Sequence, residues 1–201
     1  MVSQEGLRMI PYTEESRHIF AVQLYDAEAC RRIVEHVSRL DTWTSAQVRE
    51  PATGGGFDSY TKPEIRSTSI LRQADGAHVY RDFDERMQTV IKPFVKQIWN
   101  VDFAEHGGTQ ILRYGTGGHY VAHSDAGEDL QNRYFSIVCY LNDDFKGGHT
   151  SFPSLDYAAV PRSGKAIIFP SKYLHRAEPV LEGEKYVLVS WLLGPSPVRW
   201  I

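Results

Sequence analysis

Two stretches in the first hundred residues carry apolar side chains at helical spacing. After Asp26 they fall at Ala29, Cys30, Ile33, Val34, Val37 and Leu40, which make one face of a helix. The short polar side chain of Asp26 suits the N-cap of that helix. From Tyr80 to Trp99 a second face is built by Phe83, Met87, Val90, Ile91, Phe94, Val95 and Ile98. Pro93 should kink or distort it, because proline removes a helical donor and crowds the preceding turn. Past about Gly108 the period shortens. Thr109 to Tyr114, Tyr120 to Ser124, Tyr134 to Leu141, Lys165 to Phe169 and Lys185 to Leu192 are β-branched and aromatic runs. Turn signals divide them: Gly115-Thr116-Gly117-Gly118, Asn142-Asp143-Asp144, Gly147-Gly148 and Glu182-Gly183-Glu184. These runs predict strands. Helices first and short strands afterwards imply an α+β, mainly β chain, with helical support over about 1–108 packed on a β-sandwich or jelly roll over about 109–194. The glycines Gly54-Gly55-Gly56 place a loop from Arg49 to Pro63, a candidate lid.

Composition narrows this picture. A chain of 201 residues, 42% of them hydrophobic, can bury one core and is short for two, so a single domain over 1–201 is expected. The net charge of −3 and the scattered lysines and arginines give no field for a nucleic acid backbone. Cys30 and Cys139 lie inside apolar-periodic segments and read as buried thiols. No charged-then-apolar leader opens the sequence and no apolar run nears the ~20 residues of a membrane span. The expectation is a soluble cytoplasmic protein acting on a small-molecule or peptidyl substrate, with the oligomeric state left open.

The candidate chemistry lies in the strand-rich half. Two imidazoles and a carboxylate on one side of an Fe(II) leave positions open for other ligands. His123 and Asp125 are two apart, and on a strand the period of two puts them on one face. Alone, the pair is weak: eight histidines and 25 acids in 201 residues give about one His-x-acid pair by chance, and a strand-end histidine beside a solvated aspartate is the plainer reading. His175, which follows the apolar run Ala166-Ile167-Ile168-Phe169 and a turn, changes that, as does Lys185 ten positions on. Without His175, an exposed lysine guarding a strand would be the ordinary reading of Lys185.

Tyr114, His123-Ser124-Asp125, Gly147-Gly148-His149-Thr150, His175 and Lys185 together resemble the prolyl 4-hydroxylase-like branch of the 2-oxoglutarate and Fe(II)-dependent dioxygenases, over roughly Ile65 to Leu193. Arg66-Ser67-Thr68-Ser69 is similar to the arginine-bearing strand near the substrate in that family. The resemblance implies a double-stranded β-helix, with Fe(II) held by His123, Asp125 and His175. It also implies that 2-oxoglutarate is held at its far carboxylate by Lys185 and Tyr114, that O2 is the oxidant and that ascorbate is supportive. Tyr120 is expected near the iron and the substrate, and Thr150 to add a hydroxyl contact. In the strand from Lys185, alternation puts Lys185, Val187, Val189 and Trp191 on one face, so Trp191 either walls the pocket or is a core aromatic. Arg133 corresponds to a substrate-contacting arginine of the family, or is simply solvated at a strand start. His119 and His149 lack an acid two residues on or a lysine ten on, and are not expected to bind metal. His18, His36, His78 and His106 read as surface or capping residues. A metal-bearing carboxylate at 125 argues against the halogenases of the family, which carry a small residue there. The implied activity is hydroxylation of an unactivated C–H bond of a prolyl or amino-acid-like substrate. Desaturation or cyclisation of a small metabolite, and a non-catalytic cupin-like metal module, are the alternatives; the latter has no use for Lys185.

Overall fold

The computed structural model describes residues 9–127, 130 and 132–194. In chain order the first elements are β1 (Thr13–Ser16), β2 (Ile19–Gln23), α1 (Ala27–Val37), β3 (Trp43–Ser45), β4 (Val48–Pro51), β5 (Phe57–Tyr60), β6 (Arg66–Ser67) and β7 (Ser69–Leu71). A helical segment follows, as α2 (Ala77–Arg86), one π-helical stretch (Met87–Ile91) and α3 (Lys92–Trp99). The rest is β8 (Glu105–Tyr114), β9 (His119–His123), β10 (Arg133–Tyr140), β11 (Lys146–Gly147), β12 (Thr150–Phe152), β13 (Tyr157–Ala159), β14 (Lys165–Pro170), β15 (His175–Ala177), β16 (Val180–Glu182) and β17 (Lys185–Leu193).

Both helical segments lie where the apolar spacing put them. The Asp26 carboxylate accepts from the Ala29 amide at 2.7 Å, a cap that contributes about 1 kcal/mol. The second segment starts at Ala77 and is interrupted by the π-helical stretch just before Pro93, the distortion expected of proline. The five predicted strands are present, four with ends within a residue of those expected, and β8 begins four residues early at Glu105. Two expectations fail. The stretch 49–63 is not a bare loop, because β4 and β5 pair as an antiparallel hairpin with the glycines at its tip. Nor is 1–108 purely helical support: β2, buried from Ile19 to Val22, pairs with β14 as a strand of the main sheet.

An eight-stranded sheet in the order β1-β2-β14-β10-β17-β8-β7-β3 faces a five-stranded sheet in the order β13-β12-β15-β9-β6, a double-stranded β-helix. The large sheet is covered on both sides, so its central strands are apolar on both faces. On β17, Tyr186, Leu188 and Leu192 join a core with Phe83, Ile91 and Phe94 of the helical segment. Val187, Val189 and Trp191 turn the other way, into a second core with Phe152 and Ala159 of the small sheet. The helices therefore act as a backing layer, and the cleft between the sheets is left for chemistry. Cys30 and Cys139 are buried free thiols. Among the described residues no helix is long and apolar enough to cross a membrane.

Candidate metal centre and substrate cavity

His123 ends β9 and His175 opens β15, and the antiparallel register sets them directly opposite each other. Their rings are 4.4 Å apart. Asp125 lies just past the end of β9, so strand alternation does not place it as the sequence suggested. Its amide donates to the Ser171 carbonyl at 3.0 Å, with the Ala126 amide on the same acceptor at 3.1 Å. That pinned turn brings Asp125 Oδ1 to 3.5 Å from His123 Nε2 and Oδ2 to 3.4 Å from His175 Nε2. One ligand atom from each of the three residues lies within 4.8 Å of the others.

The protonation pattern follows from the partners. His123 Nδ1 meets the Val121 carbonyl and His175 Nδ1 the Tyr173 carbonyl, each at 2.9 Å. A carbonyl only accepts, so Nδ1 carries a proton on both rings and Nε2 is the nitrogen turned to the shared space. Burial lowers the His175 pKa, which favours the neutral, ligating form. Burial pushes the Asp125 carboxyl up, but His175, His123 and the Ser136 hydroxyl overcome it and hold the group well below the usual carboxylate range. Ser136 Oγ donates to Asp125 Oδ2 at 2.7 Å and meets the Ser171 hydroxyl at 2.9 Å. Two imidazoles and one carboxylate are the donor set of a facial Fe(II) site, so the residues fit the metal.

Tyr120 stands three residues before His123, which on a regular strand would face it the other way. The β15–β9 register jumps between His175↔His123 and Ala177↔Tyr120, giving β9 one extra residue there. This bulge returns both side chains to one face, and their rings stack at 3.6 Å and 20°. Arg66, paired with Tyr120 across β6 and β9, places its guanidinium 4.9 Å from the Tyr120 ring.

A cavity of about 410 Å³ opens beside the triad. At one end Lys185, only 1% exposed, is paired in register with Tyr114 and lies 4.5 Å from its ring. Its ammonium donates to the Gly148 carbonyl at 2.7 Å, and burial pushes its pKa down to about 7. Burial also raises Tyr114 and Tyr120, so both phenols remain donors. A buried ammonium with a carbonyl as its partner, beside a phenol, suits a carboxylate. Thr150 lines the same cavity, with its hydroxyl accepting from Tyr140 at 2.7 Å. Leu112, Val138, Val187 and Val189 form an apolar waist. At the far end are Trp191, Arg133 with its guanidinium 3.6 Å over the Trp191 ring, Gln110 and Arg66. Trp191 is thus a wall of the cavity as well as a core residue, and Arg133 is packed rather than merely solvated. Every residue expected at the site lines this one space.

Four contributors escaped the sequence reading: Ser136, Ser171, Tyr140 and Gln110. Ser136 and Tyr140 were the polar positions in the apolar run of β10, a detectable signal because buried polar groups need a partner. Gln110 shares a face with Leu112 and Tyr114 by simple alternation. His119 and His149 stay outside the triad, and the His119 Nδ1 is taken by the Gly117 carbonyl at 2.9 Å.

Comparison with known proteins agrees with this geometry. The 2OG-Fe(II) oxygenase superfamily model matches residues 109–193. A putative prolyl 4-hydroxylase of Acanthamoeba polyphaga mimivirus is 29% identical over 126 residues, covering 51% of this chain and 52% of that protein. A PKHD-type hydroxylase of Sphingopyxis alaskensis is 29% identical over 167 residues, covering 75% and 73%. The chain spans about half the length of the viral relative and 23% of the prolyl 4-hydroxylase subunit alpha-1 of Gallus gallus. The fold is shared with a Trichoplax adhaerens prolyl hydroxylase, solved with a peptide fragment of hypoxia inducible factor (TM-score 0.68, 13% identity, 88% of this chain and 83% of that one). It is shared also with a Pseudomonas putida prolyl-4-hydroxylase (TM-score 0.62, 18% identity, 89% and 94%). Over residues 109–193 the chain is similar to the 2OG-Fe(II) oxygenase superfamily, and its fold and His123–Asp125–His175 triad agree with that match. The relatives it resembles are of the prolyl 4-hydroxylase-like kind, and Fe(II), 2-oxoglutarate and O2 are the cofactors that the matched family implies.

Proposed function

We propose that this protein hydroxylates an unactivated C–H bond of a prolyl or amino-acid-like substrate, using Fe(II), 2-oxoglutarate and O2. The observation that carries this reading is the sharing of one cavity by the His123–Asp125–His175 triad and the buried ammonium of Lys185. When bound, the metal and co-substrate supply the oxidation: one atom of O2 enters the C–H bond as hydroxyl, the other goes into succinate, and carbon dioxide leaves.

The protein's part is positioning. The two backbone carbonyls fix which nitrogen of each histidine faces the metal, and Ser136 orients the carboxylate. Lys185 and Tyr114 hold the distal carboxylate of 2-oxoglutarate. Tyr120, locked on His123, presents its hydroxyl to the substrate side of the cavity, where Arg66, Arg133 and Trp191 line the approach. The apolar waist keeps water away from the reacting carbon.

Anaerobically purified protein given Fe(II), 2-oxoglutarate, ascorbate and then air should form succinate by slow uncoupled turnover, and His175→Ala should not. Iron-loaded protein that neither forms succinate nor binds 2-oxoglutarate in calorimetry would be a metal-bearing β-barrel of another kind.

A further inference from the structure

We infer that the substrate carries its own carboxylate and is anchored by it at the Arg66 end of the cavity, so that the preferred class is a free amino or imino acid rather than an internal peptide residue. This deepens the oxygenase reading above and rests on it.

The cavity has two polar ends and a neutral middle. Lys185, Val187, Val189 and Trp191 follow one another on one face of β17, at about 6.8 Å per two residues. Roughly 20 Å of strand therefore separates the lysine end from the tryptophan end. The lysine end is matched to one carboxylate. At the other end two donors lack any acceptor among the described residues: Trp191 Nε1 and Arg66 Nε, both buried. Trp191 is only 6% exposed. Leaving such donors without an acceptor is costly, and native proteins do so rarely.

The remaining contacts of Arg66 are neutral. One terminal nitrogen donates to the Gln47 carbonyl at 3.2 Å and the other to Gln110 Oε1 at 3.1 Å. These bonds aim the guanidinium without neutralising it. Arg133 brings a second guanidinium to the same end, against the Trp191 ring. Among the described residues lining the cavity the only acid is Asp125, and it belongs to the triad. Once 2-oxoglutarate has answered Lys185, Arg66 still meets no anion among the described residues lining the cavity. A planar fork of N–H donors is the side chain best matched to a carboxylate. Size points the same way, since a space of about 410 Å³ must also take 2-oxoglutarate.

The test is anaerobic calorimetry on the full chain loaded with Fe(II), first with 2-oxoglutarate, then with each free L-amino acid and L-proline against its carboxamide. A proline peptide blocked at both ends is titrated alongside. At least one free acid is expected to bind about tenfold or more tightly than its amide, and Arg66→Gln should abolish that difference. If every amide or the blocked peptide binds as well as the acids, the inference is overturned, and that comparison needs only the wild-type protein. A preference that persists in Arg66→Gln also overturns it. Absent 2-oxoglutarate binding in the first titration defeats the oxygenase reading itself, whereas normal 2-oxoglutarate binding without acid preference defeats only the anchor.

Discussion

Lys185 offers a quantitative prediction, because a buried ammonium has a measurable cost that its ligand should relieve. Its pKa falls from 10.5 to about 7 through burial. In the unfolded chain it stays near 10.5, so between pH 7 and 10.5 the unfolded state binds more protons. Stability of the ligand-free protein therefore rises with pH across that window, and the full cost is present below about pH 7. At about 1.36 kcal/mol per pH unit, the cost is about 5 kcal/mol. Lys185→Met removes the charge but leaves the Gly148 carbonyl without its donor, a loss of about 1–3 kcal/mol. The variant should thus gain about 2–4 kcal/mol of stability at pH 6. Binding gives the complementary signal. At pH 8 a group with a pKa of about 7 is about one-tenth protonated, and a carboxylate placed beside it restores the charge. Titrating 2-oxoglutarate into Fe(II)-loaded protein at pH 8, in buffers of different ionisation enthalpy, should show uptake of about 0.9 proton. The Lys185→Met variant should lose the binding. Uptake near zero with intact binding would mean that the lysine does not receive the co-substrate.

Two further substitutions probe the scaffold around the site. Ser136→Ala takes the 2.7 Å donor from Asp125 and should weaken Fe(II) affinity about tenfold, at the low end for such supporting bonds; an unchanged affinity in metal titration would deny Ser136 any part in orienting the ligand. Gly108 has φ +68°, and an added Cβ would sit 2.9 Å from the Trp191 ring, so Gly108→Ala should cost about 1–3 kcal/mol in urea unfolding. An unmoved midpoint would show that the bulge opposite Trp191 tolerates a side chain.

Much of this site was readable because its chemistry is local or periodic. His175 and Lys185 declared themselves by spacing, and Val187, Val189 and Trp191 by alternation. What escaped depends on register, which no single strand encodes. The face shared by Tyr120 and His123 comes from a bulge defined against β15. Asp125 owes its place to a carbonyl 46 residues downstream, Ser171. The apolar run from Ile19 to Val22 is too short for its period to distinguish a strand from a helix turn, and only its pairing with β14 settles it. The β4–β5 hairpin was hidden because Arg49, Asp58, Ser59 and Tyr60 expose polar side chains, which read as loop when the partner strand is unknown.

Ser171 follows directly on β14 of the large sheet, yet its carbonyl receives the Asp125 and Ala126 amides and the Ser124 hydroxyl from the segment leaving β9 of the small one. Asp125 is also tied to Ser136 on β10, while both histidines belong to the small sheet. An ion bound by all three residues would therefore rivet the two layers together at the mouth of the barrel. Losing the ion and parting the sheets become one linked event, so occupancy of the site is also a measure of how firmly the sandwich stays shut.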